Sequence, residues 1–338
     1  MHITLYKQGK IPIPPKLYGG TERVIGWLGK ALVELGHEVT LIANAQSHIP
    51  GAELRAISAD EKNPGAWTKL IPGSTDIVQL FNEFAPAVNK PFLVSFGGNP
   101  PRGARFNPNT VFVSAAHAAL HGSRHFVHNG LDPDEYLFSE KREDYAIFLA
   151  KARWPVKNLP GAVRVARRAG IELRVLGSRN WPLDLQRWLP PVRGVRYYGM
   201  LGGREKAELI SRARCLIFPV RWPEPFGLAL IEALASGAYV AGTPYGSLPE
   251  IVTPETGILS ARMEELAEAV RNPQRFSPVV CRDRVLHGGF THLDMAKKFL
   301  NYYEQILTHG SLGKDGEPAP ATKPGFTPKH LLPWENGV

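Results

Sequence analysis

The chain is 338 residues long and 43% hydrophobic, the balance of a soluble globular protein with room for two ordinary domains. No apolar run reaches the roughly 20 residues needed to span a bilayer, and two cysteines, Cys215 and Cys281, make neither a disulfide framework nor a zinc site. Net charge is +9, and Lys151 to Arg214 holds 15 Lys and Arg against 4 Asp and Glu. Such a field favours phosphates, nucleic acid or a membrane surface, unless part of it is a solvated helix face.

Strand-like and helix-like runs alternate from the start. Ile3-Thr4-Leu5-Tyr6 predicts a first strand with no charged, apolar leader before it, so a cytoplasmic protein is expected. A Pro/Gly loop follows. Ile25, Leu28, Leu32 and Leu35 then recur at helical spacing and predict a helix over about Thr21 to Leu35, which Gly36 stops. Glu38 to Ile42, Ile77 to Leu80, Phe92 to Phe96 and Val111 to Val113 read as further strands. After His128-Asn129-Gly130 and a polar segment to Asp144 the alternation resumes, with strands at Tyr145 to Leu149, Glu172 to Leu176, Arg214 to Phe218 and Tyr239 to Ala241. Strands separated by helices imply parallel sheets, and the repeated pattern implies two α/β domains joined near residue 130. A last helix is expected over about Leu293 to Leu307. The tail from His309 to Val338, rich in Pro, Gly and Lys, is expected to be disordered or draped over the surface.

Two segments carry chemistry. In Pro14-Pro15-Lys16-Leu17-Tyr18-Gly19-Gly20-Thr21-Glu22, two glycines before a helix start let backbone N–H groups approach an anion. The bland alternative is a tight turn between strand and helix. Neither a G-x-G-x-x-G fingerprint nor a phosphate-gripping G-x-x-x-x-G-K-[ST] loop is present there. In Glu224-Pro225-Phe226-Gly227-Leu228-Ala229-Leu230-Ile231-Glu232-Ala233-Leu234-Ala235-Ser236-Gly237, a helix is expected to start near Phe226. The amides of Phe226, Gly227 and Leu228 would form an anion site, and Glu232 would lie roughly 9 Å further along the axis. Carboxylates suit sugar hydroxyls, which donate to them in a fixed geometry. The bland alternative here is an acid of the first helical turn and a solvated acid on the helix.

That string resembles the E-x7-E signature of the family 4 glycosyltransferases. Tyr18-Gly19-Gly20-Thr21-Glu22, Gly36-His37-Glu38-Val39-Thr40-Leu41, Val127-His128-Asn129-Gly130-Leu131-Asp132 and Gly246-Ser247-Leu248-Pro249-Glu250-Ile251-Val252 resemble other parts of the family in the same order. The likeness runs from about residue 1 to 307. It implies the α/β GT-B fold, two Rossmann-like domains with parallel sheets facing across a cleft. Residues 1–128, joined by the helix at about 293–307, would be the acceptor side, and 129–292 would bind the donor.

The resemblance also implies roles. Glu224 would meet the transferred sugar, Glu232 the ribose hydroxyls, and Gly19 and Gly20 the diphosphate. Lys157 would grip the diphosphate beside a second cation, either Arg153 or Lys151, with Arg153 preferred for its forked guanidinium. Two positions depart from the family. Gly97-Gly98-Asn99 stands where many members have a histidine, His117 and His121 being read as surface or packing residues. Ser247 replaces the second glycine of a pair. The implied activity is retaining, metal-independent transfer from a nucleotide-diphosphate sugar, UDP- or GDP-linked, to a glycan, lipid or small-molecule acceptor. No metal site and no other cofactor are expected, nor nucleic acid as a partner; peripheral membrane contact is left open. The competing readings are an epimerase or phosphorylase on the same fold, a non-catalytic nucleotide-sugar sensor, and, from the basic stretch alone, a nucleic-acid-binding protein.

Overall fold

The computed structural model describes residues 1–58, 65–82, 87–100, 104–177, 194–313 and 334. The chain divides into two compact units, one of residues 1–131 and 289–325, the other of 132–288 and 326–338.

In the first unit β1 (His2–Tyr6) is followed by α1 (Gly20–Glu34), β2 (Glu38–Ala43), β3 (Glu53–Ala56), β4 (Ile77–Phe81), β5 (Phe92–Phe96), β6 (Thr110–Phe112) and α2 (Ala115–Leu120). The strands form one parallel sheet in the order β3-β2-β1-β4-β5-β6. β1 and β4 are buried along their whole length, as expected of parallel strands covered on both faces. α1 turns Ile25, Leu28 and Leu32 into the core, each 0% exposed.

The last described helix packs on α1 in this same unit and runs longer than its apolar residues predict, over His292–His309. Its start is set by a capping box. The Thr291 hydroxyl accepts from the Asp294 N–H, and the Asp294 carboxylate accepts from the Thr291 N–H. Met295, Ala296, Phe299, Tyr303 and Ile306 are buried, and the Tyr303 hydroxyl donates to the side-chain carbonyl of Gln79 on β4.

The second unit holds β7 (Tyr145–Leu149), α3 (Leu159–Ala169), β8 (Glu172–Leu176), β9 (Val195–Gly199), α4 (Gly203–Arg212), β10 (Cys215–Phe218), α5 (Leu228–Ala235), β11 (Tyr239–Gly242), α6 (Leu248–Ile251), β12 (Gly257–Leu259), α7 (Met263–Arg271) and α8 (Pro278–Leu286). With these labels the capped terminal helix is α9. The second sheet is also parallel, in the order β12-β11-β10-β7-β8-β9. From β7 the chain goes to β8 and β9 on one side and then returns to β10 on the other. The loops leaving β7 and β10 therefore diverge at a topological switch point, where open α/β sheets bind ligands.

Two parallel-sheet Rossmann-like units are what the alternation and the family resemblance imply. Three strands are additions to the sequence reading: β3, β9 and β12. Two described residues of the tail are buried. Leu312 is 8% exposed and its N–H donates to Asn109 Oδ1 at 3.0 Å, and Trp334 is 3% exposed. Residues 314–333 and 335–338 of that tail lie outside the described residues.

Candidate active site

Lys157 and Glu224 meet at the switch point of the second sheet. After β7 the chain makes a 3-10 turn, Pro155–Lys157, and then reverses at Asn158, whose φ of 57° is left-handed. Asn158 holds this geometry with both ends of its amide. Its Oδ1 accepts from the Gly161 N–H at 3.1 Å and caps α3, while its Nδ2 donates to the Pro219 carbonyl at 2.9 Å. The Arg221 N–H adds a bond of 2.8 Å to the Val156 carbonyl. The loops after β7 and β10 are thus tied together, and Lys157 comes to lie beside Glu224.

The Lys157 ammonium donates to Glu224 Oε2 at 2.6 Å, and the Trp222 indole N–H donates to the same oxygen, also at 2.6 Å. Lys157 Nζ further lies 5.1 Å from the Trp222 ring centre and 5.2 Å from that of Phe218. Glu224 is 6% exposed. A buried carboxylate is tolerated because it receives these charge-assisted bonds.

The loop after β11 closes over the same place. The Ser247 N–H donates to the Glu224 carbonyl at 3.0 Å, and the Ser247 hydroxyl to the Phe226 carbonyl at 2.7 Å. Gly246 has φ 66°, and a Cβ on it would lie 2.3 Å from both the N and the O of Glu224. Glycine is therefore required at 246. At 247 a serine serves, because its side chain is used as a donor.

α5 begins two residues later than the sequence suggests. Gly227, at φ 81°, is its N-cap, so Phe226 and Gly227 precede the helix and Leu228 is its first residue. A left-handed N-cap needs glycine, and this break in the backbone delays the helix. Glu232 then stands four residues into it, about 6 Å along the axis rather than 9 Å.

Glu232 is not a solvated helix acid: it is 5% exposed in a helix buried from Ala229 to Ala235. Two residues that sequence reasoning missed satisfy it. Lys206, on α4, donates to both carboxylate oxygens at 2.8 Å, and the Tyr136 hydroxyl donates to Oε1 at 2.8 Å. A lysine inside a basic run and a tyrosine in a linker carry no local signal of this partnership. The far end of α5 is also neutralised, since Arg142 donates to the Ser236 carbonyl and Arg282 to the Ala235 carbonyl, each at 2.8 Å.

The remaining candidates are placed as follows. Lys151 is half-buried just past the end of β7, its Nζ 4.8 Å from the Trp154 ring centre, whereas Arg153 is exposed. Gly19 is the N-cap of α1 and Gly20 its first residue; both belong to the first unit. The Arg23 guanidinium fixes the loop before them by donating to the Leu17 carbonyl at 3.1 Å.

His117 and His121 are packing residues but not surface ones. The His117 ring donates to the Gly98 carbonyl at 2.9 Å, and both rings pack on Phe112. Burial lowers His117 to about 3 and His121 to about 4, so both are neutral near pH 7. Cys215 and Cys281 are free and buried, and burial pushes each up to about 12, which removes thiolate chemistry.

The basic stretch is largely matched by acids. Besides the two lysine–glutamate pairs, Arg168 meets Glu264 at 2.9 Å, Arg174 meets Glu172 at 2.8 Å, Arg204 meets Glu208 at 2.8 Å and Arg212 meets Glu143 at 3.2 Å. The free field is therefore smaller than the charge count suggests. Arg179, Arg187 and Arg193 of that stretch lie outside the described residues.

Among the described residues no group of three or more His, Cys, Asp or Glu is arranged to hold a metal ion. The Asp-x-Asp spacing Asp132-Pro133-Asp134, which the expectation of no metal site passes over, forms a cap. Asp132 Oδ1 accepts from the Asp134 N–H at 3.1 Å. No described helix is long and apolar enough to cross a membrane.

Comparison with known proteins gives this geometry a family context. Residues 147–272 match the family model of the group 1 glycosyl transferases. The matched segment contains Lys151, Arg153, Lys157, Glu224 and Glu232, and lies wholly in the second unit. Two curated relatives extend the likeness. Glycogen synthase of Mycobacterium tuberculosis is 28% identical over 160 residues, 43% of this chain and 38% of that protein. The phosphatidyl-myo-inositol mannosyltransferase of Propionibacterium freudenreichii is 24% identical over 298 residues, 71% of this chain and 77% of that one. The match thus spans little more than a third of the length of the glycogen synthase. Among solved structures, AviGT4, a glycosyltransferase involved in avilamycin A biosynthesis, superposes with a TM-score of 0.76 at 22% identity, covering 91% of this chain and 98% of that one. HepE of Anabaena, solved in complex with UDP-glucose, does so with a TM-score of 0.62 at 12% identity, covering 90% and 100%. The two Rossmann-like units therefore have the fold of GT-B glycosyltransferases.

Proposed function

We propose that the chain transfers a glycosyl group from a UDP- or GDP-linked sugar to a hydroxyl acceptor, with retention of anomeric configuration and without a metal. One observation carries the reading: Lys157 and Glu224, 67 residues apart in sequence, share a hydrogen bond of 2.6 Å at the switch point of the donor-type sheet. The family match over 147–272 and the UDP-glucose complex of HepE support the choice of donor class.

In this reading the bond between sugar C1 and the diphosphate oxygen breaks first, and its electron pair leaves with the nucleoside diphosphate. Charge then builds on the departing phosphate. Lys157, a second cation from Lys151 or Arg153, and the amides at the start of α5 neutralise it, a preorganised electrostatic contribution. The acceptor oxygen bonds to C1 on the face the diphosphate left, and its proton passes to the departing phosphate. Glu224 accepts from sugar hydroxyls and Glu232 from those of the ribose.

Incubation with a panel of UDP- and GDP-sugars tests the reading. Release of free sugar and nucleoside diphosphate from one donor class, abolished in Glu224→Gln, is expected. Interconversion of one sugar into its epimer, or consumption only with inorganic phosphate, would replace transfer by the epimerase or phosphorylase reading.

A further inference from the structure

Lys157 is engaged by a carboxylate before any donor arrives, and this arrangement gives Trp222 a task of its own. The Glu224 Oε2 atom accepts two bonds of 2.6 Å, one from the Lys157 ammonium and one from the Trp222 indole N–H. The side chains are 12% exposed for Lys157 and 6% for Glu224, so water offers little replacement for either bond. A diphosphate that recruits Lys157 must take it from Glu224. Without the indole N–H, a buried carboxylate that gave up the ammonium would lose both of these donors and would resist that exchange.

We propose that Trp222 is a positioning residue that lets this exchange happen: its N–H stays on Glu224 while Lys157 turns to the diphosphate. The proposal rests on the glycosyltransferase reading and deepens it. The indole has the geometry for both halves of the task. Its N–H lies on Glu224, its ring centre is 5.1 Å from Lys157 Nζ, and the Phe218 ring centre is 5.2 Å from the same atom. An ammonium resting against two aromatic rings keeps a favourable contact as it changes anionic partner. The Trp154 ring, at 6.2 Å and nearly perpendicular, buttresses the indole from the side. No acid–base step is required. The change is one of hydrogen-bond partner, with every charge retained.

Calorimetry with free UDP and free GDP tests this without a known acceptor. Trp222→Phe keeps an aromatic face but removes the N–H, so Glu224 holds Lys157 harder. The nucleoside diphosphate that binds should bind about tenfold more weakly, the scale of one charge-assisted hydrogen bond. In a Glu224→Gln background the same change should have almost no effect, because the carboxylate that competes for Lys157 is gone. Equal weakening in both backgrounds would reduce Trp222 to a packing residue and overturn the proposal. So would unaltered binding by Trp222→Phe.

Glu224→Gln alone keeps the indole and the packing intact, and it serves if the Trp222 variant does not fold. It should bind the diphosphate severalfold more tightly than the parent, and unchanged or weaker binding would overturn the proposal. Lys157→Met separates the two levels. If it loses diphosphate binding while the Trp222 and Glu224 variants behave like the parent, only the present inference fails. If the parent protein binds neither UDP nor GDP, the glycosyltransferase reading fails and takes this inference with it.

Discussion

Replacing Lys206 with methionine should destabilise the second unit through a single buried atom group. Among the described residues, Lys206 supplies two of the three hydrogen bonds that the Glu232 carboxylate receives, each 2.8 Å long, and Tyr136 supplies the third. The side chains are 15% and 6% exposed, respectively, so the carboxylate left behind would be charged and almost dry. Breaking a buried pair by removing one partner costs about 3–5 kcal/mol. The lower end, about 3 kcal/mol, applies here, because the Tyr136 hydroxyl still donates to the carboxylate. Hydrogen exchange of the α5 amides, residues 228–235, across a urea series reads this unit alone. The double variant Lys206→Met, Glu232→Leu should recover at least about 1 kcal/mol, since an apolar pair of similar volume replaces a buried ion pair with little loss. A loss below about 1 kcal/mol in the single variant would show that water or another residue satisfies Glu232. A double variant as weak as the single one would show that Lys206 acts by packing.

Other outcomes follow from the same coordinates. Lys157→Ala, confirmed folded by circular dichroism, should lower kcat with the preferred donor by about a hundredfold or more while raising donor Kd less, as for removal of one preorganised donor. Lys151→Ala should act in the same direction and Arg153→Ala only weakly, because Lys151 is half-buried at the end of β7 and Arg153 is exposed; a silent Lys151 with a damaging Arg153 would reverse that choice. Donor turnover should survive excess EDTA if lysines supply the neutralisation, and activity lost to EDTA and restored by magnesium or manganese would refute this. His117 titrates at about 3 in the folded chain against 6.5 unfolded, so the unfolded state takes up the proton first. Stability of the first unit should therefore fall as pH drops from 6.5 towards 3, by about 2 kcal/mol for this group at pH 5. Urea midpoints should fall less steeply between pH 7 and 5 in His117→Gln, with His121, lowered to about 4, left to supply a remaining slope, and an unchanged slope would show that His117 does not control the acid limb.

Much of this protein is legible in its residue order, for a physical reason. Strands β1, β4, β7, β10 and β11 lie inside their sheets, are covered on both faces, and read as short apolar runs. α1 and α9 show a single apolar stripe with a 3.6-residue period. The string from Glu224 to Gly237 holds its acids and glycines within one local window, so both carboxylates are legible in it.

What the residue order could not supply falls into two kinds. The strands it hid, β3, β9 and β12, are all sheet edges. An edge strand buries less, so Glu53-Leu54-Arg55-Ala56 and Val195-Arg196-Tyr197-Tyr198-Gly199 mix charge with apolar residues and lose the pattern. Trp222, two residues from Glu224, is within a local window, but the other partners of the two acids are not. Lys206 is 26 residues from Glu232, Tyr136 is 96 residues from it, and Lys157 is 67 from Glu224. Periodicity reports which face of an element is dry, whereas pairing at these separations depends on which loops the sheet order brings together. Only the return of β10 to the side of β7 brings the Lys157 ammonium to the carboxylate oxygen on which the Trp222 indole donates.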